Sequence, residues 1–158
     1  MNPVSEPADI EPADMPRAPL ASAADAVWGE CEHAFGPCLL TVNRLQRQRI
    51  PLRLARVYSS NPSAYPVGGY KDKPDSGWTR QVLIQGEPYV GEGQAALAWA
   101  FDDHARIVAL GLRCVINQPL IHQAQVIGTL NLLATGERWP KGALERIGPW
   151  AQRILATL

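Results

Sequence analysis

The sequence predicts an α+β domain in which a central antiparallel sheet is packed by amphipathic helices from both ends of the chain. Three observations predict it. Two apolar, β-branched runs, Arg113 to Ile121 and Val126 to Leu133, are separated by the polar His122-Gln123-Ala124-Gln125 and read as a β-hairpin with a four-residue loop. Both of these strands carry apolar residues on both faces, which places the hairpin centrally in a sheet covered on two sides. Apolar stripes at helical spacing stand near the two ends, Ala24, Val27, Trp28, Cys31 and Phe35 in one and Leu144, Ile147, Ala151, Ile154 and Leu158 in the other.

The totals bound the function. A chain of 158 residues suits one domain, with roughly two-thirds of its unfolded surface buried on folding. Fifteen basic and fifteen acidic residues cancel, so no electrostatic argument favours nucleic acid or an anionic membrane. There is no apolar run of about 18 residues and no basic segment followed by an apolar core at the start, so neither a transmembrane helix nor a secretory signal is expected. Three cysteines, Cys31, Cys38 and Cys114, make an odd count without a C-x-x-C pair, which suits a reducing, cytoplasmic setting.

In chain order, residues 1 to 20 are rich in proline and acid and repeat Glu-Pro-Ala-Asp, too little apolar surface to offset the entropy of ordering; they read as a disordered tail before a domain spanning 21–158. Ser22 and Asp25 resemble a capping box for the first helix, and Gly36-Pro37 ends it. Trp28 on its stripe reads as core or dimer interface. Residues 38 to 46 and 51 to 58 read as two strands joined by an exposed Arg47-Gln48-Arg49 turn, with Arg44, Arg47 and Arg49 solvated. Strand alternation sets Arg56 on one face with Leu52, Leu54 and Tyr58; an inward arginine needs a partner, either an internal carboxylate or a ligand acid.

Residues 59 to 77 form a long irregular stretch of the kind that often serves as a lid or binding loop, and it carries Tyr65 and Tyr70 around Pro66 and Gly68-Gly69. Asp75 or Ser76 can cap a helix running through Ile84, with Trp78 and Val82 on one face. Pro88-Tyr89-Val90 is a short strand and Ala95 to Ala100 a helical turn. Asp102 and Asp103 suit the first turn of a short helix that Gly111 ends. Gly128 marks a bulge or a close backbone approach. The last helix starts near Lys141, and Gly148-Pro149 should kink it.

This order of elements, together with Arg56-Val57-Tyr58-Ser59-Ser60-Asn61-Pro62 through Tyr65-Pro66-Val67-Gly68-Gly69, and with the stretch from Phe101 to Leu133 including Val126-Ile127-Gly128-Thr129-Leu130-Asn131-Leu132-Leu133, resembles a GAF domain over roughly residues 22 to 157. The resemblance implies a GAF-like, PAS-related sheet with both terminal helices on one face and a loop-covered small-molecule pocket on the other. It also implies a sensory role and a homodimer through the terminal helices. Cyclic-nucleotide members carry an Asn-Lys pair, a Phe and an Asp-Glu pair; Asn131 matches the first, whereas Leu132, Trp139 and Ala143-Leu144 depart from the rest.

The reading that follows is a non-enzymatic sensory module binding an unidentified small molecule, with Arg56, Tyr58, Tyr65, Tyr70, Trp78, Asp103 and Asn117 around the pocket. It leaves the cofactor open and expects no metal, since no paired Cys/His spacing or H-E-x-x-H is present. Asp103 could equally be a helix-start acid, and Asn117 could satisfy backbone within its strand. One alternative is a redox enzyme similar to the GAF-fold reductase of free methionine sulfoxide, which needs an attacking and a resolving thiol; only Cys114 lies in the pocket-forming half. The other is a structural dimerisation module whose pocket is filled by side chains.

Overall fold

The computed structural model describes residues 18–158; the expected tail lies outside the described residues except at its last few positions. Helix α1 (Ala18–Phe35) leads into strands β1 (Cys38–Gln46), β2 (Leu52–Ser59) and β3 (Tyr70–Lys73). A π-helical segment, Thr79–Ile84, follows. Strand β4 (Tyr89–Glu92), helices α2 (Gln94–Ala100) and α3 (His104–Ala109), strands β5 (Cys114–His122) and β6 (Gln125–Ala134), and helix α4 (Ala143–Leu155) complete the chain. All strand pairs are antiparallel, in the spatial order β3-β2-β1-β6-β5-β4. The β5–β6 hairpin therefore lies inside the sheet, as its two-sided apolar pattern requires.

Alternation along the central strands divides the interior in two. On one face Leu40, Val42, Ile116, Leu120, Leu130 and Leu132 pack against Leu20, Ala24, Val27 and Cys31 of α1 and Ile147, Trp150, Ala151 and Ile154 of α4. On the other, Leu39, Val115 and Leu133 meet Leu97, Ile107 and Leu112, while Leu45, Leu54 and Val126 meet Trp78, Val82 and Leu83. Both terminal stripes are thus occupied by the protein's own sheet. A dimer through these helices would have to use their outer faces, where Asp25, Glu30 and His33 are exposed and Glu30 pairs with Arg153.

Several expectations are corrected. Among the described residues helix α1 already covers Ala18, so Ser22 and Asp25 lie within it rather than capping it. The β5–β6 loop has two residues, not four: Gln123 and Ala124 have φ of 51° and 63°, the left-handed pair that a tight hairpin turn demands. The stretch 59–77 contains β3, a four-residue edge strand whose charged Lys71, Asp72 and Lys73 hide its pattern. Arg44 and Arg47 are structural, donating to the carbonyls of Leu158 (3.4 Å) and Val126 (3.0 Å). Helix α4 starts at Ala143, two residues after the expected Lys141, with Pro149 inside it.

The correction that matters most concerns Tyr58. The β1–β2 register pairs Asn43 with Arg56 but Val42 with Tyr58, which leaves Val57 as an extra residue. Such a bulge reverses the face of everything beyond it. Tyr58 consequently joins Val42 and Val57 on the terminal-helix side, and its hydroxyl donates to Asp25 Oδ1 at 2.7 Å. Burial and that carboxylate hold its phenol far above the usual range. Tyr58→Phe is expected to lower stability by about 1.5–3 kcal/mol, the range for a hydrogen bond to a charged group. Denaturant titration reads this loss, and ligand affinity should not change.

Candidate functional site

The face of the sheet opposite the terminal helices bears the site. Along β1, β5 and β6 the residues that alternate onto this face include Thr41, Asn43, Asn117, Thr129 and Asn131, polar groups in otherwise apolar strands. They satisfy one another. The Trp78 indole Nε1 donates to Asn117 Oδ1 (2.9 Å), Asn117 Nδ2 to Asn131 Oδ1 (2.8 Å), and Asn131 Nδ2 to the hydroxyls of Thr41 (3.1 Å) and Thr129 (3.2 Å). Asn117 and Thr129 are fully buried, so this network fixes the floor, since each member would be costly to leave unpaired.

Above this floor is a cavity of about 200 Å³, walled by apolar Leu39, Leu54, Trp78, Phe101, Ile107 and Leu133. Its volume lies below the ~300–1,000 Å³ usual for drug-sized ligands, so it suits a small metabolite. Tyr65 and Tyr70 also line it. Arg56 enters from β2: its guanidinium lies 5.0 Å from the centre of the Tyr65 ring, Nη1 donates to Pro66 O at 3.2 Å, and buried Nε has no partner. Burial lowers its affinity for the proton, partly offset by Tyr65 and Asp103.

The roof is latched electrostatically. Lys71 Nζ lies 2.5 Å from Asp102 and 3.6 Å from Asp103, linking edge strand β3 to the α2–α3 junction. The Tyr65 hydroxyl donates to Asp103 at 3.4 Å, and burial beside that carboxylate pushes its phenol up to about 12. The paired ammonium holds Asp102 below the ordinary carboxylate range. Asp103 is therefore already compensated from within the protein.

Lys73 is different. It alternates onto the same face of β3 as Lys71, its Nζ lies 4.4 Å from the centre of the Trp78 ring, and among the described residues it has no hydrogen-bonded or ion-paired partner. Burial, reinforced by Lys71 and opposed by Asp102 and Asp103, lowers its pKa to about 8. Below pH 8 the amine is charged in both folded and unfolded chains, and the fold bears the full cost of burying it; between about 8 and 10.5 that cost fades. Lys73→Met should therefore be more stable than the parent at neutral pH, with the gap closing as pH rises through this window. Paired melts across that range measure it.

Of the seven residues the sequence suggested, Arg56, Tyr65, Tyr70, Trp78 and Asp103 line the cavity. Tyr58 is on the opposite face, and Asn117 is sealed beneath the floor, bonded to Trp78 and Asn131. Sequence reasoning missed Lys73, Thr41 and Asn43. A signal for the last two exists: polar residues at alternate positions of an apolar strand mark the face that needs them. For Lys73 the signal was its i, i+2 spacing from Lys71, which means nothing until β3 is seen to be a strand. Among the described residues no group of three or more His, Cys, Asp or Glu could hold a metal ion.

A sheet with both terminal helices on one face and a roofed, cation-bearing cavity on the other defines a class of small α+β domains built around a ligand-sized chamber. The particular member is the GAF domain fold. The chain aligns over 87% of its length with 80% of the GAF domain of a phosphoenolpyruvate-protein phosphotransferase from Coxiella burnetii, with a TM-score of 0.68 and 14% identity. It aligns over 86% of its length with 90% of the GAF domain of a two-component sensor histidine kinase from Bacillus halodurans, with a TM-score of 0.66 and 11% identity. The chromophore-binding domain of a bacteriophytochrome from R. palustris is similar over 89% of this chain and 55% of its own, with a TM-score of 0.62 and 10% identity. No protein-family model matches the sequence, and no curated protein matches it.

Proposed function

We propose that this protein is a non-enzymatic sensory GAF domain that binds a small organic anion in the cavity between Arg56 and Lys73. The observation that carries the reading is that the cavity's one lining acid, Asp103, is already engaged by Lys71 and Tyr65, while Arg56 and Lys73 have no acid hydrogen-bonded or ion-paired to them among the described residues. A cavity with surplus positive charge, apolar walls and hydroxyl and amide groups on its floor complements a carboxylate with a short apolar body. The sensor kinase and the bacteriophytochrome that share the fold support a sensory role. Two copies meeting on the outer faces of the terminal helices would be one route by which occupancy is read.

Thiol chemistry is disfavoured by the cysteines' surroundings. Burial pushes Cys31 and Cys38 up to about 12 and Cys114 up to about 11, so all three remain protonated near neutrality. Cys38 and Cys114 pair with Ala134 from opposite sides, two strand spacings or about 9.5 Å apart, beyond the ~7 Å that a disulfide spans.

A thermal-shift series with short carboxylates and their neutral amides tests the proposal. The acids should raise the melting temperature and the amides should not, because binding to the folded state stabilises it. Arg56→Ala should weaken the acids by tenfold or more, about 1.5–3 kcal/mol for a charge-assisted contact, while leaving the fold intact. Equal shifts from acids and amides would sink the anion reading.

A further inference from the structure

We propose that Lys73 is a covalent attachment site: its amine condenses with the aldehyde or ketone of a small oxo acid whose carboxylate Arg56 holds. The proposal rests on the anion reading and adds a bond to it. Three features of the cavity lead there. The Lys73 amine lines the cavity without a hydrogen-bond or ion-pair partner among the described residues, so its lone pair is not diverted to a neighbour. Its surroundings are those that activate lysines as nucleophiles, partial withdrawal from water and a second ammonium, Lys71, two residues away on the same strand face. The lowering of its pKa to about 8 follows from that setting and leaves a usable fraction of free amine near neutrality.

The register places the two cations at different points along the sheet. Lys73 stands opposite Leu52, and Arg56 is four residues further along β2. At ~3.3 Å per residue the two backbone positions are about 13 Å apart along the strands, so the amine and the guanidinium enter the cavity from different positions. An acid with a terminal carbonyl gives each cation its own group, the carbonyl at Lys73 and the carboxylate at Arg56. In the reaction the Lys73 nitrogen attacks the carbonyl carbon, a proton passes from nitrogen to oxygen, and a carbinolamine results. Its hydroxyl takes up one proton from solvent and leaves as water while the nitrogen lone pair forms the C=N bond. One amine, one carbonyl and one proton give one iminium and one water, with no change of oxidation state. The iminium retains the positive charge that Lys73 supplied to the anion.

The chain has only three lysines, Lys71, Lys73 and Lys141, which makes the test direct. The full chain is incubated with 4-oxobutanoate and sodium cyanoborohydride, which reduces the iminium to a stable amine, and the adducts are located by peptide mapping. Lys73 is expected to label about tenfold or more faster than Lys141. Butanoate, the same acid without the carbonyl, should slow labelling at Lys73 alone, and Lys73→Arg should lose the fast adduct. Labelling of Lys73 no faster than Lys141, with butanoate still raising the melting temperature, overturns the covalent site and leaves the anion reading standing. Fast labelling of Lys73 that butanoate neither slows nor accompanies with a thermal shift overturns the anion reading instead. The wild-type protection experiment remains decisive should Lys73→Arg fail to fold.

Discussion

Gly128→Ala is expected to destabilise the protein at or beyond the upper end of the ~1–3 kcal/mol usual for overpacking. Gly128 lies in β6 opposite Arg44 of β1, and a Cβ there would stand 2.2 Å from the Asn43 carbonyl oxygen. That oxygen belongs to backbone in the middle of the sheet and cannot swing aside as a side chain would. Relief would require β1 and β6 to separate, and these strands carry both the terminal-helix core and the floor of the cavity. Ile127, the extra residue of a second bulge, immediately precedes it. The same substitution at Gly29, exposed in α1 with nothing within 4 Å of the new Cβ, should instead add about 0.5–1 kcal/mol. Denaturant midpoints of the two variants should move in opposite directions. A Gly128→Ala protein with parental stability would mean that the strands are further apart than described.

Trp78→Ala should cost about 3–5 kcal/mol, the range for removing a large buried aromatic. Trp78 is only 3% exposed, packs with Leu54, Val82 and Leu83, and lies 6.4 Å from Phe101 between ring centres. Its loss also strips Asn117 Oδ1 of a donor at a fully buried position, which adds to the cavity cost. The site suffers in the same stroke, because Trp78 is both a wall of the cavity and the surface beneath the Lys73 ammonium. Trp78→Phe separates the contributions: most of the packing survives, the indole donor does not, and about 1–3 kcal/mol should be lost. Thermal melts and carboxylate titrations of both variants read stability and binding independently. If Trp78→Phe matched the parent in both, the polar network beneath the cavity would not be what holds the floor.

The legibility of the site follows from the same physics. Arg56, Tyr65, Tyr70, Trp78 and Asp103 could be selected because charged or aromatic residues in an apolar strand, a long loop or a helix start need an explanation locally. Tyr58 was selected by the same rule and is on the wrong face, because alternation holds only while the strand stays in register. Asn117 was recognisable as a buried polar residue, but its partners are Asn131 of an adjacent strand and Trp78, just ahead of the π-helical segment, and proximity across strands is not a property of any one of them.

The sequence by itself determined the α+β class, the bounds of β1, the central hairpin, the apolar stripes of α1 and α4, and the need for glycine at 111 and 128, because each rests on periodicity or backbone conformation within a few residues. The tertiary structure alone decided that β3 exists, that Tyr58 turns away, that both stripes face the protein's own sheet, and that Arg56 and Lys73 share one cavity. Those outcomes depend on strand register, and register is settled by pairing between segments distant along the chain, where a single extra residue such as Val57 exchanges one face for the other.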